Sequence, residues 1–365
     1  MFGILVDDLT MDSTVEEVER LVTLGRSTGR SYQVATVNVD FVVNALADAD
    51  LHRILRDADL VLADGMPIVW AAKLAGTPVR ERVAGSDLVP ALAQRSASTG
   101  LDVHLFGSRD GVAETAAALL AERFPGCRVT ADSGPMLTDP RRAPDEVIEG
   151  LRARNADVVC VAFGNPKQER FIDEYRARIG APVMIGIGGS LDMLVGERRR
   201  APRWAQRAGL EFVFRAAQEP GRLGRRYAHD ARVFGPRLVA HARLARRDAD
   251  ARRLTGELGS GAPGHLVIRC AGEGDHVLRD QWTTLTSLPA ETSLTVTPPA
   301  SEAKMPRLRL ADLATVRGLI RHRRQHGATT EIETRWCDDQ LADLVVDPRD
   351  LGNDSSSRSP DGPMN

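Results

Sequence analysis

Lysine is nearly missing from this chain. Three occur in 365 residues, Lys73, Lys167 and Lys304, against forty-five arginines, an imbalance that reads as a GC-rich coding bias. Aromatic residues are also few, at 4%, so a site that grips a sugar by stacking it on rings gets little support. The four cysteines (Cys127, Cys160, Cys270 and Cys337) lie far apart with no metal-type pairing. That excludes a disulfide framework and fits a reducing cytoplasm. No apolar run approaches the roughly 18 residues of a spanning helix. The opening MFGILVDDLTMDS carries acids where a signal peptide needs a basic flank. A cytoplasmic protein is expected, able to lie against a membrane but not to cross it. A Walker lysine loop is missing too, as is an Asp-x-Asp at a strand end, the usual metal clamp on a nucleotide diphosphate. The adjacent pairs Asp7-Asp8 and Asp338-Asp339 stand in weak contexts, so no metal and no other cofactor is expected.

What is present is ordinary in bulk, with 42% apolar and 27% charged residues, as in a globular protein. The length suggests two domains, at roughly 100–200 residues each. The net charge of −2 conceals a strong polarity, because Arg198 to Arg253 holds sixteen arginines against five acidic residues. That stretch lacks the aromatic interleaving of a nucleic-acid surface, and no nucleic-acid partner is expected. It reads either as a solvated helical face or as a basic flap for diphosphate or anionic lipid.

Along the chain, VEEVERLVTL has helical spacing over about 14–25, with Ser13 or Thr14 as its cap. Short apolar strands then alternate with helical patterns: YQVATVNVDFVVNAL, ADLVLADG before MPIVWAAKLAG, LDVHLFGS before RDGVAETAAALLAERF, VVCVAFGNPKQERFIDEY, and APVMIGIGGSLDMLVGE. This order means βα units, hence an α/β domain over residues 1–200 with a mainly parallel sheet and helices on both faces. Residues 201–253 form its arginine-rich helical appendage, and 254–264 (LTGELGSGAPG) a linker. Residues 265–347 form a small second α/β domain, and 348–365 a disordered tail by composition.

Parallel sheets bind ligands at the carboxyl ends of their strands. The polar clusters that fall there are Thr36 and Asn38, Asp64-Gly65, Gly107-Ser108, Gly164 to Glu169, and Gly188-Gly189. Asp64, with Gly65 behind it to let a substrate approach, suits a general base or equally a helix cap. Asp192 has the same two readings and fits structure better. The loop GNPKQE opens a helix whose free N–H groups attract phosphate, with Lys167 and Gln168 able to add charge and a directional hydrogen bond. Taken alone it reads rather better as a plain turn with Pro166 in the first helical position. Gly107 and the pair in GIGGS would let a backbone approach a nucleotide, but neither completes a dinucleotide fingerprint.

Together these motifs are more specific than any one alone. The series TVN (36–38), ADG (63–65), ERVAGSDL (81–88), FGS (106–108), FGNPKQE (163–169), GIGGSLDMLVGERRRAP (186–202), GLEFVFR (209–215) and QEPGRLGRRY (218–227) resembles the WecG/TagA/CpsF glycosyltransferase family over about residues 30–230. The resemblance implies a Rossmann-like core and transfer, with inversion, of an N-acetylmannosaminyl-type sugar from a UDP-sugar to a polyprenyl-diphosphate-linked acceptor. It implies service in teichoic acid-type or other cell-surface polysaccharide assembly, without a metal, at the inner face of the cell membrane. It also implies Asp64 as the base that deprotonates the acceptor hydroxyl. Thr36, Asn38, Gly65, Arg82, Gly107, Gln168, Glu169 and Gly189 would line the substrate site. Arg215, Arg222 and Arg225 would fold over it toward the leaving UDP. Gly85 and Asp87 match as structure. In that row Gln168 is expected to touch ligand, and Lys167 to lend supporting charge.

Residues 265–347 lie outside that resemblance. Their strands HLVIRCAG, SLTVTPP and TTEIETRW around a helical ADLATVRGLIRHRRQHG resemble a STAS domain, which implies a protein partner. Pro306-Arg307-Leu308 stands where such a domain carries its phosphorylatable residue. An apolar face on the core would suit either a second copy of the chain or lipid. The alternative to a transferase is a non-catalytic sugar-nucleotide sensor fused to a partner-binding module.

Overall fold

The computed structural model describes residues 2, 4–74, 78–196, 211–218 and 220–247, and then 254–258, 265–270, 293–297 and 330–332. The chain divides into two compact units, with the break between Arg243 and Leu244.

The first unit opens with α1 (Met11–Thr28), β1 (Tyr32–Val37), α2 (Val39–Ala47), α3 (Ala49–Asp57), β2 (Leu60–Ala63), α4 (Met66–Leu74) and α5 (Gly85–Thr99). It continues with β3 (Asp102–Gly107), α6 (Val112–Arg123), β4 (Arg128–Asp132), α7 (Asp145–Arg154), β5 (Val158–Ala162), α8 (Lys167–Ile179), β6 (Val183–Gly186) and α9 (Ser190–Leu194). The basic appendage adds α10 (Glu211–Gln218), a π-helical turn at Pro220–Gly224, and α11 (Arg225–Arg247). The six strands form one parallel sheet in the order β2-β1-β6-β5-β3-β4. The α/β expectation is met.

Strand side chains alternate between the two faces, and both faces are covered. Val34, Leu62, Leu105, Cys160 and Ile185 pack with α1, α5 and α6. Phe106, Val159, Val161 and Met184 pack with α7 and α8. That is why these strands read as nearly unbroken apolar runs. β4 is the exception. As an edge strand with its alternate residues exposed, RVTAD lacks such a run, and neither it nor α7 stood out in the sequence. α1 also starts earlier than expected. Its cap is Thr10, whose hydroxyl accepts from Ser13 N–H at 3.2 Å while Ser13 Oγ accepts from Thr10 N–H at 2.8 Å, a reciprocal capping box.

Two buried acids secure the amino edge of the sheet. Asp59 accepts from Gln33 N–H at 2.9 Å and pairs with Arg30 and Arg176. Asp157 accepts from Asp102 N–H at 2.9 Å and from Arg26 Nε at 2.8 Å. Charges so paired and hydrogen-bonded can stay buried. The carboxyl edge, built from glycine turns and helix starts, is left for ligand.

In the second unit β7 (Leu254–Leu258), β8 (His265–Cys270), β9 (Ser293–Thr297) and β10 (Thr330–Ile332) form a sheet in the order β10-β9-β8-β7, with only β7–β8 antiparallel. Leu254–Leu258, expected as linker, is therefore a strand. The helical ADLATVRGLIRHRRQHG, Pro306-Arg307-Leu308 and the tail lie outside the described residues.

Candidate functional site

Six strands bring loops to the carboxyl edge, and two cavities open among them. A polar one of about 460 Å³ is lined by Ser108 and Arg109 after β3, Gly164, Asn165 and Lys167 after β5, and Gly188, Gly189 and Asp192 after β6. A more apolar one of about 450 Å³ is lined by Asp64, Gly65, Met66, Trp70 and Leu74 from β2 and α4, by Arg82, and by one face of α11. Asn38, Asp40 and Arg226 line both, so the cavities meet there.

Asn38 caps α2, its Oδ1 accepting from Phe41 N–H at 3.3 Å. It thus stands in the site with its acceptor partly committed to structure. Asp64 stands at the tip of β2, its backbone N–H bonded to Val37 O at 2.9 Å. Gly65 beside it has φ +133°, a conformation open mainly to glycine. Arg82 pairs with Asp87 at 2.7 Å and with Glu211 at 3.4 Å. It lines the apolar cavity and also ties α10 to the core.

The PKQE loop is built differently from the expectation. Gln168 is 0% exposed. Its Oε1 accepts from Gly164 N–H at 3.1 Å and Gly188 N–H at 2.8 Å, and its Nε2 donates to Glu169 Oε1 at 2.8 Å. The amide is a crosspiece between the β5 and β6 loops, and its position beneath the cavity floor replaces the expected direct contact. Glu169 is buried alongside, with Oε2 lacking a partner among the described residues. Burial pushes its carboxyl up to about 8, against the hydrogen bond from Gln168. Gly186 packs so closely that a Cβ there would sit 2.5 Å from Gln168 Nε2. Pro166 occupies the cap, one place before the expected first helical position, and follows a cis peptide.

Other expected contacts also turn structural. Thr36 is buried, and its hydroxyl donates to Gly186 O at 2.8 Å, joining β1 to β6. Gly107 lines neither cavity; a Cβ on it would strike the Phe163 ring at 2.5 Å. Its neighbour Ser108 lines the polar cavity instead and donates to Asp192 Oδ1 at 3.2 Å. Gly189 does line that cavity. Arg225 is exposed and lines neither cavity, while the side chains of Arg215 and Arg222 lie outside the described residues.

The neighbouring Arg226 takes the place expected of Arg225. Its Nε lies 3.6 Å from Asp40 Oδ1 and has no hydrogen-bond partner among the described residues. The Arg225-Arg226 pair does not reveal which member faces inward. The signal was the apolar phase of α11, where Tyr227, Ala231, Phe234 and Leu238 share the face that lines the cavity. Asp230 interrupts that face. It is 4% exposed, and burial, then Asp40, push its carboxyl up to about 6 against Arg226 and His229.

Comparison with known proteins gives the family. The model of the glycosyl transferase WecG/TagA/CpsF family matches residues 1–249. The chain belongs to the WecG/TagA/CpsF glycosyltransferase family. Among curated relatives, one from Bacillus spizizenii is 32% identical over 192 residues, covering 53% of this chain and 73% of the relative. One from Bacillus subtilis is 29% identical over the same coverage. Both are named N-acetylglucosaminyldiphosphoundecaprenol N-acetyl-beta-D-mannosaminyltransferase. This glycosyltransferase carries the family match through α10 and α11, so the cavity-lining helix belongs to the family unit and not to the second one. None of its described helices is long and apolar enough to cross a membrane.

Proposed function

We propose that this glycosyltransferase moves an N-acetylmannosaminyl-type sugar from a UDP-sugar to a polyprenyl-diphosphate-linked acceptor, with inversion, in cell-surface polysaccharide or teichoic acid-type assembly. The observation that carries the reading is the meeting of a polar and an apolar cavity at Asn38, Asp40 and Arg226, with Asp64 in the apolar one. The names of the two Bacillus relatives supply the chemistry of donor sugar and acceptor.

In this reading the polar cavity takes the nucleotide diphosphate. Lys167, Arg109 and Arg226 offer positive charge there, and α8 starts at Lys167 in the cavity wall, turning the positive end of its dipole to it. Both polar atoms of the Asn165 amide are buried without a partner among the described residues, which a ligand would satisfy. The apolar cavity takes the acceptor. An acceptor hydroxyl oxygen attacks the anomeric carbon from the face opposite the diphosphate, and the bond from that carbon to the phosphate oxygen breaks. UDP leaves with the electron pair, the cationic groups stabilise its charge, and the hydroxyl proton passes to Asp64. No metal enters this scheme. Exposed Trp70, Leu74 and Val239 around α4 and α11, with the arginines of the appendage, favour work at the inner membrane face on a lipid-borne substrate.

A screen of UDP-sugars against short-chain polyprenyl-diphosphate sugars, with products weighed by mass spectrometry, tests the proposal. The expected product is the acceptor plus one N-acetylhexosamine, β-linked from an α-linked donor. Release of free sugar with no elongated acceptor would overturn it.

A further inference from the structure

The scheme above leaves Asp230 without a task. It interrupts the apolar stripe of α11 and lines the same cavity as Asp64. At 4% exposure it is withdrawn from water, where a carboxyl is costly unless donors meet it. The charges around it supply little. Arg226, one turn away on α11, is also held by Asp40 of α2 through its Nε at 3.6 Å, and Asp40 itself repels Asp230. His229 on the same helix is exposed. The other ionisable groups lining the cavity are Asp64 after β2, Arg82 before α5, Glu211 on α10 and the Tyr227 phenol on α11. Arg82 is committed to Asp87 and Glu211. A leucine would suit this wall better on packing grounds alone, so a carboxyl set in the apolar lining points to a ligand.

We propose that Asp230 recognises the acceptor sugar: its carboxyl accepts a hydrogen bond from a hydroxyl or amide N–H of the sugar that enters the apolar cavity, holding the attacking hydroxyl toward Asp64. Charge decides which part of the acceptor this is. A carboxylate repels a diphosphate and favours a neutral, donor-rich sugar ring. The raised carboxyl value near 6 agrees with a buried group that is ionised, and a strong acceptor, at neutral pH. The inference rests on the transferase reading.

The test is steady-state kinetics of the full chain, varying UDP-N-acetylmannosamine and a short-chain polyprenyl-diphosphate N-acetylglucosamine separately, for wild type, Asp230→Asn and Asp230→Leu. Loss of a hydrogen bond to a charged group predicts an acceptor KM raised about tenfold or more, with the donor KM within about twofold. Acceptor kcat/KM of the wild type should rise from pH 5 to pH 7 with an inflection near 6, and Asp230→Asn should lose that inflection. Both variants should melt at higher temperature than wild type at pH 7, because a buried charge is gone. A folded Asp230→Leu with unchanged acceptor KM would overturn the assignment. So would a variant that melts lower and loses donor and acceptor affinity alike, which marks a residue of the fold. If the wild type moves no sugar, the transferase reading itself falls and this inference with it; an active wild type beside a kinetically silent variant removes only Asp230.

Discussion

Glu169 shows how a single group can carry a measurable signature of the site's construction. Its carboxyl, pushed up to about 8 by burial, holds its proton at neutral pH in the folded protein and releases it near the ordinary value when unfolded. A raised acid contributes stability fully below its unfolded value and loses it as pH climbs toward the folded one. Denaturation at pH 6 and pH 9 should therefore find the wild type weaker at pH 9, and Glu169→Gln, neutral at both, should lose less. Gln168 makes a harsher test. Replacing it by alanine orphans the N–H groups of Gly164 and Gly188 and removes the donor to Glu169. A loss of about 2–4 kcal/mol is expected by unfolding titration, with weaker donor binding because both loops line the polar cavity. The motif around these residues was legible in the sequence; their buried orientation was not. A strand-end polar residue can face ligand or turn beneath the loop, and Thr36, Gly107 and Gln168 all turn inward.

Among the elements, α11 differs most from its sequence impression. Read by charge, it was a basic flap; read by phase, it is the wall of a cavity, with Phe234 at 6% exposure, Arg226 on the cavity face, and Arg225, Arg232, Arg237 and Arg243 exposed. Its apolar positions and the break at Pro220-Gly221 were visible, but what those positions cover depends on the direction the chain takes through Pro220–Gly224, which is not local information. The sheet was far easier to read, because strands buried on both faces announce themselves as apolar runs, whereas the exposed edge strand β4 was missed. Among the described residues, none beyond Val195 takes part in the two core clusters that cover the sheet's faces. A chain ending near residue 200 should therefore keep the far-ultraviolet spectrum of an α/β fold and a cooperative melt while losing transfer to the lipid acceptor. Retained transfer in that truncation would remove α10 and α11 from the site.

For the whole molecule, the family match ends at residue 249 and the described lining of both cavities ends at Leu238. Removal of residues 254–365 should leave kcat within about twofold on a short-chain acceptor, since no described group of the site is lost. The central claim concerns the first unit: sugar transfer at the junction of the two cavities with Asp64 as the base. The measurement that tests it most directly is turnover and donor affinity of Asp64→Asn on UDP-N-acetylmannosamine and a polyprenyl-diphosphate N-acetylglucosamine. A fall in kcat of about 10²–10⁴ with donor affinity kept is the predicted result. Transfer at the wild-type rate by Asp64→Asn would contradict it.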